Sequence, residues 1–291
     1  MNSDILYHYC SNEAFHSIVS NHSIRLSSLL LSNDSMEGRL VSGLITELAK
    51  ENGLDQAKAQ RLQENIIQFE SMFDGLGFCF SEKGDLLSQW RGYADDASGV
   101  SIGFSKKYLT RLPAAYKDKR KDGFFLDQVT YDRETQKKLI TPIFKEMIER
   151  INRGAFNIPN HGTIIFPRSA EDIAQEEGQI ALALADLHLK SLDLFGVIFS
   201  FKTSAFSEES EWRLLSHLFH IGKIDTECEF RVVRKKIVPY REFPLQKLEL
   251  NAIHDVFLGP KNTTPENVVR GLLESNGFSD VTVKRSSASY K

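Results

Sequence analysis

GLGFCFSEKGDLLSQWRGYADDASGVSIGF, residues 75–104, holds two short apolar runs separated by a polar connection rich in aromatics. Gly75 to Phe80 is apolar and aromatic, and Ser-Glu-Lys-Gly follows it, so the run reads as a buried strand ending in a turn. Val100 to Phe104 reads as a second strand, announced by the turn signal Asp95-Asp96-Ala97-Ser98-Gly99. The first half of the connection, from Leu86 onward, suits a helical turn. Two strands joined in this way call for a sheet, and the rest of the chain is read for its partners.

Upstream, Ile5 to Tyr9 reads as a short strand, and Ser11 supplies an N-cap for a helix that places Phe15, Ile18 and Val19 on one face. Ile24 to Ser27 returns as an extended segment. Asp34 with Glu37 three residues later fits a capping arrangement ahead of Leu40, Leu44, Ile45 and Leu48, and a second helix is expected over residues 55–72. Downstream, residues 106–198 differ in character, with long helical patterns at 133–152 and 170–195. Strands resume at Glu211 to Leu215, Glu229 to Val233, Lys236 to Tyr240, Ile253 to Leu258 and Val281 to Lys284, with Thr264 as N-cap and Pro265 opening the last helix. The expected architecture is a single α+β domain over 1–291. Its core is a mixed or antiparallel sheet, and residues 106–198 form a mainly helical insertion or cap.

Composition narrows the class. With 41% hydrophobic and 26% charged residues the chain can build a sizeable core. A net charge of -3 argues against wholesale electrostatic capture of nucleic acid, though a local basic patch is compatible with it. Cys10, Cys79 and Cys228 are too few and too scattered for a disulfide framework or a cysteine metal site. The opening MNSDILYHYC lacks the basic and apolar regions of a secretory signal, and no apolar run reaches the roughly 18 residues of a membrane span. A cytoplasmic protein without a membrane partner is expected, and a homo-oligomer is compatible with the sequence.

Three segments carry candidate chemistry. Ser88-Gln89-Trp90-Arg91-Gly92-Tyr93 gathers two large aromatics, a guanidinium and a hydroxyl, a set that suits an anion beside a stacked base or sugar. Equally, Trp90 and Tyr93 read as core anchors and Arg91 as a surface ion-pair partner. Glu209 and Glu211 fall on one side of an extended segment with Arg213, where paired carboxylates can orient a ribose hydroxyl, steady an oxocarbenium ion or hold a divalent ion. An exposed acidic strand start with Glu211 paired to Arg213 fits the same residues. Leu6-Tyr7-His8-Tyr9 offers a histidine between two tyrosines on a first strand, either directed into a cleft or held as a structural histidine. The loop from Gly259 to Thr263 can cradle an anion or merely cap a helix. No HExxH, CxxC, GxSxG or Walker-type loop occurs, and no metal site is expected.

The motif order resembles a known family. Tyr-His-Tyr, Asn-Asp-x-x-Glu, Phe-Cys-Phe-Ser, Gln-Trp-Arg-Gly-Tyr, Gly-Val-Ser-Ile-Gly-Phe, Glu-x-Glu-Trp-Arg, Val-Pro-Tyr and Leu-Gly-Pro-Lys-Asn follow one another as in the bacterial family catalogued as domain of unknown function 2971. The layout of a first-strand histidine, a mid-chain aromatic and serine strand and a late Glu-x-Glu also resembles ADP-ribosyltransferase-type folds. That resemblance implies NAD as substrate, with Tyr7 and His8 at its ribose or amide and Ser81 as the second-strand hydroxyl. Trp90 and Tyr93 would stack on its rings beside Arg91 and Arg213, and Glu211 with Glu209 would steady the ribosyl cation. It implies a toxin or anti-phage effector modifying a protein or nucleic acid. Two other readings stand beside it. One is a non-catalytic nucleotide- or anion-sensing module using Arg91, Arg213 and Lys261; the other is a divalent-metal nuclease using Asp34, Glu37, Glu209 and Glu211.

Overall fold

The computed structural model describes residues 4–32, 38–116, 124–163, 165–219, 228–233, 235–245, 248 and 250–290. In chain order its elements begin with β1 (Ile5–Cys10), α1 (Asn12–Asn21), β2 (Ser23–Ser28), α2 (Leu40–Glu51), α3 (Gln56–Ser71), β3 (Phe73–Ser81) and α4 (Leu87–Tyr93). They continue with β4 (Val100–Ser105), α5 (Lys106–Arg111), β5 (Phe125–Gln128), α6 (Arg133–Arg150), α7 (Ala170–Ser191) and β6 (Glu211–Phe219). The last are β7 (Glu229–Val233), β8 (Lys236–Pro244), β9 (Ile253–Leu258), α8 (Glu266–Ser275) and β10 (Thr282–Arg285). The chain divides into two units.

The first unit comprises Met1–Asn33, Asp74–Val129 and Ala205–Lys291 and carries the sheet. Its strands run in the order β10-β9-β4-β1-β3-β2-β8-β7, with β6 also paired to β3 and β5 paired to β6. β9 and β10 are parallel while β1 and β4, β4 and β9, and β2 and β8 are antiparallel, so the sheet is mixed and the fold is α+β. Alternation along the strands separates two faces. Leu6 and Cys10 of β1 join Phe78, Phe80, Ile102 and Phe104 in the main core, against which α1 sets Phe15, Ile18 and Val19 and α8 sets Val269 and Leu273. Tyr9 turns the other way and packs with Trp90, Ala94 and Ala97, with Tyr7 beside them.

Local chemistry explains the joints. Ser11 caps α1 by accepting from the Ala14 N–H at 3.3 Å, and His22, left-handed at φ 48°, ends it before β2. Gly99 precedes β4 because a Cβ there would overlap the carbonyl oxygen of Cys10. Pro265, at ψ 141°, is the N-cap of α8, and the helix begins at Glu266, one residue later than expected. The Asn262 side chain takes the Thr264 N–H at 2.9 Å, which makes an Asx turn of the residue read as the cap.

The second unit comprises Asp34–Phe73 and Thr130–Ser204. It is helical, built from α2, α3, α6 and α7, with Leu44, Ile45, Leu48, Leu62, Ile66, Ile140, Phe144 and Met147 buried. Phe73 meets Phe69, Phe195 and Phe199 at ring separations of 5.2, 4.5 and 5.9 Å. The helical stretch read at 106–198 is thus divided. Residues 106–129, with α5 and β5, belong to the sheet unit, whereas α2 and α3 belong with α6 and α7. Asp34 and Glu37, the expected capping pair, lie outside the described residues.

Candidate functional site

Glu209 ends a 3-10 turn spanning Ser204–Glu209, and Ser210 at φ 45° swings the chain into β6, which starts at Glu211. The two glutamates therefore do not share one side of an extended segment as expected. The left-handed residue between them resets the alternation. Backbone bonds fix this corner against the end of β3, where Ser210 accepts from the Glu82 N–H at 3.1 Å and Glu211 from the Val129 N–H at 2.9 Å. Ser81, buried, donates its hydroxyl to the Glu209 carbonyl at 2.6 Å.

Side chains from α4 close on the same corner. The Tyr93 hydroxyl donates to Glu209 Oε1 at 3.1 Å, and Ser88 donates to Glu208 Oε2 at 3.2 Å. Trp212 donates its indole N–H to Glu82 at 2.9 Å while Lys106 lies 3.7 Å from its ring centroid. On β6, Trp212 and Leu214 join the main core, so Glu211 and Arg213 occupy the opposite side. There Arg213 donates Nε to Glu211 Oε1 at 2.7 Å and a terminal nitrogen to Oε2 at 3.0 Å, a bidentate pair with both residues buried. The pairing of Glu211 with Arg213 is realised, but in the interior and not at an exposed strand start.

Trp90 is a core residue. It is fully buried, 4.8 Å from the Tyr9 ring centroid in an edge-on contact, and donates its indole N–H to Asp85 at 2.7 Å. An indole without accessible surface does not stack on a ligand, which corrects the role expected of it. Asp85 also holds the C-terminal segment, accepting from Ser286, from the Ser287 N–H at 2.7 Å and from the Ser287 hydroxyl at 2.8 Å. Burial by itself pushes the pKa of this carboxyl up, but the bonds from Ser286, Trp90 and Ser287 outweigh it and keep the pKa below its usual value. Asp85→Ala is expected to lower stability by about 1–3 kcal/mol in urea unfolding, since it leaves the buried indole donor unsatisfied.

His8 falls on the side of β1 away from Tyr7 and Tyr9. Its ring stacks on Phe78 at 3.8 Å, and Nδ1 lies 2.8 Å from the Cys79 carbonyl oxygen. β1 and β3 share one register pair, Tyr7 with Ser81, so the imidazole satisfies a β3 carbonyl where the ladder stops. Desolvation pulls its pKa down to about 4, the Cys79 bond opposes the change, and the Arg231 cation adds to it. A ring that donates from Nδ1 keeps Nε2 as an acceptor.

The structure thus joins Ser81, Tyr93, Glu209, Glu211 and Arg213, with Tyr7 in register beside Ser81, and leaves Trp90 in the core. The remaining cations read as anion ligands have partners. Arg91 lies 5.6 Å from the Tyr290 ring centroid, and Lys261 bonds Asp96 at 2.8 Å. The glycine loop before α8 is held by its own backbone bonds, with Lys261 donating to Ala97 at 3.0 Å. Among the described residues no group of three or more His, Cys, Asp or Glu is placed to hold a metal ion. Among them, too, no helix is long and apolar enough to cross a membrane. Sequence reasoning missed Asp85 and Glu82, which lie in the turn after β3, and the arginines of β2 and β7. Only their alternation along β2 and β7 signals them. No curated protein and no solved structure matches the chain. Residues 89–214, running from α4 through both glutamates, match the family model described as Protein of unknown function (DUF2971).

Proposed function

We propose that the chain is an NAD-consuming ADP-ribosyltransferase-like enzyme, cytoplasmic, acting on a protein or nucleic-acid acceptor as a toxin or anti-phage effector. The observation that carries the reading is the meeting of the Tyr93 hydroxyl, the Ser81 hydroxyl and Glu209 at the junction of β3, α4 and β6. Glu209 is the carboxylate assigned to the reacting ribose, because its Oε1 accepts from the hydroxyl of the exposed Tyr93. Glu211 and Arg213 are positioning residues in this scheme, fixing the start of β6.

In the reaction the bond between ribose C1′ and the nicotinamide nitrogen breaks, and its electron pair leaves with neutral nicotinamide. The positive charge remains on the ribose as an oxocarbenium ion, which a carboxylate close to the 2′-hydroxyl stabilises electrostatically. An acceptor oxygen or nitrogen then bonds to C1′ and gives up its proton. Tyr93, exposed and bonded to Glu209, orients the carboxylate and supplies a ring beside it.

Incubation with NAD and candidate acceptors tests the proposal through nicotinamide release and label transfer. Glu209→Gln is expected to reduce release about 100-fold, the scale of one lost electrostatic contact to the transition state, with an unchanged melting temperature. Absence of release by the wild type, or equal release by Glu209→Gln, overturns it.

A further inference from the structure

On β2, Ile24 and Leu26 enter the main core, so Ser23, Arg25 and Ser27 face the other way. β8 pairs Glu242 with Arg25 and Tyr240 with Ser27, and β7 pairs Glu229 with Tyr240 and Arg231 with Val238, which sets all of these residues on that same face. Two guanidinium groups gather about one ring, with Arg25 4.9 Å and Arg231 5.8 Å from the Tyr240 centroid.

The two arginines are not equivalent. Arg25 has a counter-ion, Glu242, at 2.9 Å, and Ser23 donates to the same carboxylate at 2.6 Å. Glu229 is engaged by the Tyr240 hydroxyl at 2.6 Å. Arg231 donates to the neutral Ser27 hydroxyl at 2.9 Å, and its Nε is buried without a hydrogen-bond partner. Burial, and then the like charge of Arg25, pull its pKa down. A partly buried guanidinium near a second one is unfavourable by itself, and an anion at Arg231 offsets that repulsion and takes up its unused donor.

We propose that Arg231 and Arg25, with the Ser27 hydroxyl and the Tyr240 ring, form an anion subsite for the diphosphate of a small nucleotide. The fork geometry of guanidinium groups suits phosphate oxygens, and two of them with a hydroxyl suit a multiply charged group better than a single carboxylate. The charge of Arg231 is felt at His8, which places this cluster within electrostatic reach of the β1–β3 junction. Anion binding stands on this geometry alone; only the choice of a dinucleotide as its source rests on the function proposed above.

Calorimetric titration with inorganic pyrophosphate tests the subsite without any turnover. The wild type is expected to bind, more weakly as salt is added. Arg231→Gln is expected to weaken binding about tenfold or more, from the loss of charge-assisted hydrogen bonds. Its ligand-free melting temperature should equal or exceed that of the wild type, because a poorly compensated charge is removed. Arg231→Lys, which keeps the charge and loses the fork, should fall between the two. Arg270→Gln, a control at the surface ion pair 3.6 Å from Glu266, should leave affinity unchanged. No pyrophosphate binding by the wild type, unchanged affinity in Arg231→Gln, or a preference for succinate over pyrophosphate overturns the subsite. NAD cleavage with pyrophosphate affinity indifferent to Arg231 defeats the subsite and spares the reaction. Arg231-dependent pyrophosphate binding without NAD cleavage has the opposite meaning.

Discussion

Arg213→Ala is expected to destabilise the protein by about 3–5 kcal/mol in chemical denaturation, the range seen when one partner of a buried ion pair is removed. Arg213 is 1% and Glu211 5% exposed, and both carboxylate oxygens accept from the guanidinium. Truncation takes the bidentate partner away from a carboxylate that the fold keeps out of water. The double variant Glu211→Leu with Arg213→Met removes both charges at similar volume and should recover most of the loss, to within about 1–2 kcal/mol of the wild type. A single variant as stable as the wild type would show that water or other groups compensate Glu211, and the positioning role assigned to the pair would fail with it.

Such a pair was legible as a pair but not as an interior one. Glu211 and Arg213 stand two apart at the start of an apolar strand, so their contact follows from strand periodicity. Their burial depends on β5 and β3, strands more than 80 residues upstream in sequence that flank β6. The same holds for Trp90. Its neighbourhood of Gln, Arg and Tyr reads as a ligand-facing cluster, yet Asp85, five residues earlier, takes the indole N–H and lets the ring sink into the core. Apolar periodicity fixed most elements, including α1, α3 and β4, because each presents a clear buried stripe. Long-range polar partners carry no such period. The bond of Tyr93 to Glu209 joins residues 116 apart, and Arg231 to Ser27 spans 204. One backbone detail also decided the site. Ser210 adopts a left-handed conformation, and serine gives little sequence warning of that, so the alternation applied to Glu209 and Glu211 was broken at an unremarkable residue.

Acid should expose the state of His8. Its pKa is lowered from 6.5 to about 4 in the folded protein, so the unfolded chain binds the proton first as pH falls. The stabilisation that this neutral imidazole provides is complete above pH about 6.5 and drains away as pH drops toward 4, with an upper limit on the order of 3 kcal/mol. Carboxylates also protonate near the lower end, so the measurement is a comparison: His8→Phe should show a flatter stability profile between about pH 4 and 6.5 than the wild type. A proton NMR titration placing His8 near 6.5 would remove the effect and the argument behind it. The sign matters for chemistry as well as for stability. At neutral pH a ring that donates Nδ1–H to the Cys79 carbonyl presents Nε2 as a lone pair, so His8 can accept from a ribose hydroxyl or an amide but cannot act as a cation. Burial is the main cause of that neutral state, and the charge of Arg231 adds to it in the same direction, so removing Arg231 alone should leave the imidazole uncharged at neutral pH.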